Sequence, residues 1–182
     1  MKQIILAPPC SGKTFFKEKW NFNYNGIPLL CGEWLSSHYF YKKGIGIRGA
    51  APSVPTSHPL YKSWDELYKL GVEKFYNESP SNACLIYNCS AHIPYLRANY
   101  SEIKLKIVLV DPSFRKELFD NKWKNHPYSQ FTLRDLVKDG KLDEIGNGAS
   151  WWYLQEEEIQ YRRLAEVFNI EVYESFEKAL EE

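Results

Sequence analysis

The sequence carries no net charge: twenty-three Lys and Arg equal twenty-three Asp and Glu. A general polyanion binder is excluded, and any nucleic-acid contact has to come from a local basic patch. No apolar run approaches the roughly 20 residues of a membrane span. The first residues, MKQIILAPPC, lack the long apolar segment of a secretory signal. A cytoplasmic protein with no membrane partner is the expectation. The four cysteines, Cys10, Cys31, Cys84 and Cys89, show no CxxC spacing, which argues against a zinc site and fits a reducing compartment. There is no internal repeat, low-complexity tract or flexible linker, so the 182 residues read as a single domain. With 44% hydrophobic and 25% charged residues, that domain is globular and not disordered.

One absence is local. From Trp34 to Trp64 there is no acid, while Lys42, Lys43, Arg48 and Lys62 are present together with Trp34, Tyr39, Phe40, Tyr41 and Tyr61. The stretch reads as an ordered, positively charged insert, about 34–64, whose aromatic rings suit a nucleobase. A second irregular stretch, about 121–152, reads as a candidate lid and contains Arg134.

The rest alternates short apolar runs with helical segments. Gln3–Leu6, Ile27–Cys31, Ala83–Tyr87, Ile107–Val110 and Ile170–Tyr173 read as strands. Lys13–Trp20, Trp64–Asn77, Phe114–Trp123, Gln155–Phe168 and Ser175–Glu181 read as helices. The pattern predicts βαβ units and an α/β three-layer sandwich around a mostly parallel five-stranded sheet.

Between the first strand and the first helix stands Ala7-Pro8-Pro9-Cys10-Ser11-Gly12-Lys13-Thr14. It matches the phosphate-loop pattern G-x-x-x-x-G-K-[ST] everywhere except the first position, where Ala7 replaces glycine. A polyphosphate needs many donors at short range. Backbone N–H groups of Pro9–Thr14, proline excepted, can converge on it, with Gly12 permitting close approach. Lys13 adds a mobile cation, and the Thr14 hydroxyl is a hard oxygen for Mg²⁺. Alanine cannot adopt positive φ cheaply, so Ala7 is the departure to watch.

These eight residues, near the start of a chain of this size, resemble the P-loop nucleoside and nucleoside-monophosphate kinases. The resemblance implies a P-loop kinase-like fold with Gln3–Leu6 central in the sheet. It also implies ATP and Mg²⁺, and phosphoryl transfer to a nucleoside or nucleoside monophosphate. Pro9, Cys10, Ser11, Gly12, Lys13 and Thr14 would hold the donor, with Lys13 catalytic. Glu33, the only acid between Asn21 and Trp64 and placed just after the second strand, would be catalytic, binding the acceptor or taking its proton. Arg48, Tyr41 and Lys42 would bind the acceptor, and Arg134 would neutralise charge in the transition state. The metal's carboxylate is open between two strand ends. Asn88 stands where related kinases often carry Asp, and Asp111 follows the next strand. Two alternatives remain: a kinase acting on a nucleic acid, at a 5′-hydroxyl end or a modified base, and an NTP-binding regulatory module without turnover.

Overall fold

The computed structural model describes residues 1–31, 64–123 and 151–182. In chain order they form β1 (Gln3–Leu6), α1 (Lys13–Lys19), β2 (Asn23–Tyr24), β3 (Ile27–Cys31), α2 (Trp64–Glu78) and β4 (Cys84–Tyr87). A 3₁₀ turn at Ser90–His92 leads into α3 (Ile93–Asn99), followed by β5 (Lys104–Val108), α4 (Pro112–Trp123), α5 (Trp151–Phe168), β6 (Val172–Tyr173) and α6 (Phe176–Glu181).

Among the described residues the sheet has six strands, not the expected five, in the order β2-β3-β4-β1-β5-β6. β1 lies between two parallel partners, with Ile4 opposite Leu85 on β4 and Leu105 on β5. β3–β4 and β5–β6 are parallel as well. Only β2 is antiparallel, pairing Asn23 with Pro28 and Tyr24 with Ile27. The extra strand is the arm of a hairpin that Asn25-Gly26 creates: both residues have positive φ, 48° and 87°. That is the backbone hand two-residue hairpins require. A Cβ built on Gly26 meets nothing within 4 Å, so its requirement is conformational and not steric. Gly26→Ala is therefore expected to destabilise the protein by about 1–2 kcal/mol in a urea titration.

Side chains alternate across β1 and are buried on both faces, as a parallel sheet between two helix layers demands. Ile4 and Leu6 pack with Leu85, Tyr87, Leu105 and Ile107 against Val72 and Phe75 of α2, Leu96 of α3 and Tyr161 of α5. Ile5 and Ala7 point the other way, with Ile86 and Val108, toward Phe16 of α1 and Phe176, Ala179 and Leu180 of α6. The architecture is thus three-layered, with α2, α3 and α5 on one face and α1 and α6 on the other.

β5 begins earlier than its apolar run suggests. The sequence reads Ile107–Val110, but the ladder covers Lys104–Val108 and includes Lys106, which is fully buried. The Lys106 ammonium donates to the Ala179 carbonyl near the end of α6 and lies 5.4 Å from the Tyr173 ring centre. Lys104 Nζ donates to the Glu182 carbonyl at 2.7 Å. Two lysines of one strand thereby satisfy carbonyls at the C-terminal end of α6, which helical geometry leaves unpaired.

α2, α4 and α5 extend beyond their sequence-based bounds, whereas α1 ends one residue earlier, at Lys19, and α6 starts one residue later, at Phe176. Residues 121–123 belong to α4 and residues 151–152 to α5, so the lid candidate loses both ends. The rest of it, and all of 32–63, lie outside the described residues.

Candidate functional site

β1 and β4 are neighbours, yet their onward connections go to opposite faces: β1 leads to α1 and β4 to α3. A crevice opens at the carboxyl ends of such a strand pair, where α/β sheets take ligands. The 7–14 loop forms one wall, and Asn88 with Cys89 forms the other.

The loop starts tied to the sheet by the Ala7 amide, which donates to the Tyr87 carbonyl at 3.1 Å. Ala7 is fully buried and is not among the positive-φ residues, so its methyl group is tolerated where the pattern has glycine. The left-handed positions are instead Cys10, at φ 58°, and Gly12, at φ 77°. Cys10 carries a Cβ there, a strain on the order of 1–2 kcal/mol held by the surrounding contacts. This alternation of hand turns successive N–H groups into one concavity.

The loop's carbonyls are held from the other side. Ser11, buried, donates its hydroxyl to Pro8 at 2.7 Å. Lys13 Nζ donates to Pro8 at 2.6 Å and to Ala7 at 3.1 Å. Arg115 Nε, from α4, donates to Pro9 at 3.1 Å. The Phe16 N–H donates to the Gly12 carbonyl at 2.8 Å and opens α1. With these carbonyls occupied by side-chain donors, a loop that leads into a helix N-terminus suits an anion. The Cys10 environment carries the same sign. Burial pushes its thiol up, while Lys122, Lys13 and Arg115 act in the opposite direction.

Arg115 is the residue that sequence reasoning missed. It reads as a surface arginine but is 1% exposed. Besides Pro9 it donates to Glu158 at 2.5 Å and to the Leu154 carbonyl, and its guanidinium lies 5.5 Å from the Trp151 ring centre. Its position four residues past Asp111 was the available signal. One helical turn beyond a strand end, a side chain can reach back over the sheet edge.

The opposite wall is fastened by Tyr161 of α5. Its hydroxyl donates to Asn88 Oδ1 at 2.9 Å and accepts the Cys89 N–H at 3.1 Å. Glu157, one turn earlier on α5, approaches the same place. Burial raises its carboxyl above the usual value, opposed by the Asn88 side chain, Lys13 and Arg115 in that order. Nearby, His92 is buried and joins Asp65 of α2 through Nε2 at 3.0 Å. That contact anchors the first turn of α2, just after residues 32–63, beside the end of β4.

Asp111 lies on the other side of the loop. Its Oδ1 accepts the Ser113 N–H at 2.8 Å, the Ser113 hydroxyl and the Phe114 N–H at 3.3 Å, capping α4. The Ser113 hydroxyl, with those two amides, holds its carboxyl below the ordinary value. Asp111 also lines a cavity of about 340 Å³ between α1, the start of α4 and the β6–α6 turn. Phe15 and Phe114, both exposed, stand at this cavity with Gly12, Phe16, Val110 and Phe176. Phe16 and Phe176 stack at 5.1 Å.

The structure thus gathers Pro9, Cys10, Ser11, Gly12, Lys13 and Thr14 in one loop and first helical turn, with Asp111 at its flank. Glu33, Tyr41, Lys42, Arg48 and Arg134 lie outside the described residues. No helix among the described residues is long and apolar enough to cross a membrane. No protein-family model matches the chain and no curated protein matches it, so the geometry of the site is what bears on function.

Proposed function

We propose that the protein is an ATP-dependent phosphotransferase whose acceptor is a nucleoside or nucleoside monophosphate. The observation that carries this reading is the 7–14 loop, with its left-handed Cys10 and Gly12, carbonyls tied by side chains and Lys13 at the mouth of the β1/β4 crevice. The loop's N–H groups take the β- and γ-phosphates. Lys13 exchanges its two carbonyl partners for phosphate oxygens, placing a cation where charge develops during transfer. The apolar cavity beside Gly12 accepts the donor base between Phe15 and Phe114, since a few hundred Å³ of apolar space suits a planar heterocycle.

Mg²⁺ would enter with the nucleotide, held by one or two protein oxygens and by the phosphates themselves. The residues fit this demand. Thr14 offers a hydroxyl on the first turn of α1, and the buried Oε2 of Glu157 has no hydrogen-bond partner among the described residues. The cation supplies neutralisation of the phosphates; the chain's own groups orient the donor and exclude water. Glu33, Arg48, Tyr41 and Lys42 are proposed for the acceptor, and Arg134 for closure over the phosphates. A regulatory NTP-binding module is the second reading, favoured by the uncharged Asn88 at the strand end.

The test is transfer of label from γ-labelled ATP to nucleosides, nucleoside monophosphates and oligonucleotides. Label on a small acceptor is the expected result. Slow hydrolysis that no acceptor stimulates would support the regulatory module instead. Salt separates the polymer case. The acid-free segment offers four cations, Lys42, Lys43, Arg48 and Lys62. An oligonucleotide held by all four would lose apparent affinity with a log–log slope of about −3, at about −0.7 per contact. A monophosphate touching one or two gives a shallow slope, which is the expected outcome at saturating ATP and Mg²⁺.

A further inference from the structure

Of the three consecutive acids of α5, Glu156, Glu157 and Glu158, the last two stand in different situations. Glu158 is fully engaged, accepting from Arg115 at 2.5 Å and from Arg162 at 2.8 Å. Glu157 is left over: its Oε2 is buried and has no hydrogen-bond partner among the described residues. A buried polar atom in that state costs on the order of 1–3 kcal/mol and calls for an explanation. Neutralising Arg115 does not provide one, because Glu158 already does so. The placement is also fixed. Tyr161, one turn along the same helix face, is locked onto Asn88 Oδ1 and the Cys89 amide, so α5 is fastened at the height of the β4 end. An amide at that strand end holds a water or a carboxylate well but brings no charge to a cation.

We propose that Glu157, steadied by Asn88, is the protein carboxylate that binds the divalent cation accompanying the nucleotide, so that the anchoring charge comes from α5 and not from a strand end. The inference rests on the phosphate-loop reading above and deepens it, making the unpartnered Glu157 oxygen the protein's charged ligand. A divalent cation with hydration and phosphate ligands needs only one such oxygen, directly or through a water.

The experiment measures Mn²⁺ binding to the full chain by electron paramagnetic resonance, with and without a non-hydrolysable ATP analogue. Binding of the analogue alone is measured in EDTA. Glu157→Gln is expected to weaken nucleotide-dependent Mn²⁺ binding by about tenfold or more, a range typical for groups that tune a metal site. It should leave analogue affinity in EDTA within about twofold and the melting temperature unchanged or higher, because a partly buried carboxylate with an unpartnered oxygen is replaced by a neutral amide. Adding Asn88→Asp to Glu157→Gln should restore most of the Mn²⁺ affinity by returning a charge to the crevice. Glu157→Ala gives the same reading should the glutamine variant fold poorly. Unchanged Mn²⁺ affinity in either variant overturns the proposal while the loop reading stands. A lowered melting temperature with intact Mn²⁺ affinity also overturns it, since Glu157 would then serve to neutralise Lys13 and Arg115. Wild-type protein that binds no analogue even with Mn²⁺ overturns the loop reading and this proposal together.

Discussion

Lys13→Ala is expected to lower phosphoryl transfer about 100-fold or more, equivalent to about 3 kcal/mol of transition-state stabilisation. Lys13 Nζ now rests on the Pro8 and Ala7 carbonyls at 2.6 and 3.1 Å. Those contacts hold it at the loop's mouth, where a short swing reaches a phosphate. The fold should survive its removal. Pro8 keeps the Ser11 hydroxyl, and Ala7 keeps its amide bond to Tyr87. Losing the two ammonium hydrogen bonds to the carbonyls of buried Ala7 and Pro8 costs about 2–4 kcal/mol, less than a typical domain's roughly 5–15 kcal/mol. The check pairs a single-turnover transfer assay with a thermal melt. Near wild-type turnover in a folded variant would remove Lys13 from the chemistry and dissolve the phosphate-loop assignment.

The loop was legible in the sequence because its chemistry is local. Eight consecutive residues supply the turn, the left-handed glycine and the cation, and a strand and a helix flank them. The parallel strands were legible for a related reason: burial on both faces leaves uninterrupted apolar runs such as IIL and CLIY. β2 was missed although Asn25-Gly26 marks its turn, because a two-residue arm leaves no periodicity to read. The start of β5 was missed because Lys106 breaks the apolar pattern, and only the arrival of α6 makes its burial tolerable. The short helix α3 was missed because His92, Pro94 and Tyr95 look like loop residues until β4 and α2 enclose them.

The rest of the site was illegible for a different physical reason. Arg115, Glu157, Glu158 and Tyr161 acquire their roles only when α4 and α5 close on the crevice from positions far apart in the chain. No spacing rule links residue 115 to residue 9 or residue 161 to residue 88. Ala7 shows the converse. The sequence pattern flags it as a defect, yet the required left-handed turns fall at Cys10 and Gly12, where the chain supplies them.

Arg115→Ala should be the most destabilising single change at the site, by about 3–5 kcal/mol in a urea titration, a large part of a typical domain's 5–15 kcal/mol. The guanidinium is 1% exposed and distributes its donors to three acceptors on two parts of the structure: Pro9 of the loop, and Glu158 and Leu154 of α5. Alanine leaves the Glu158 carboxylate, whose side chain is 15% exposed, with only Arg162 on the solvent side. It also opens a space against Trp151. Lysine cannot substitute, since one point charge does not reproduce a planar fork aimed at three acceptors. A double variant separates the two jobs of this residue. Arg115→Met with Glu158→Leu replaces the ion pair by apolar volume, which commonly restores stability. It does not restore a donor for the Pro9 carbonyl. The double variant is therefore expected to melt near the wild-type temperature while binding ATP about tenfold more weakly, a loss matching one hydrogen bond to a charged donor. Wild-type ATP affinity in that variant would show that Arg115 supports the fold alone and that the loop holds its shape without it.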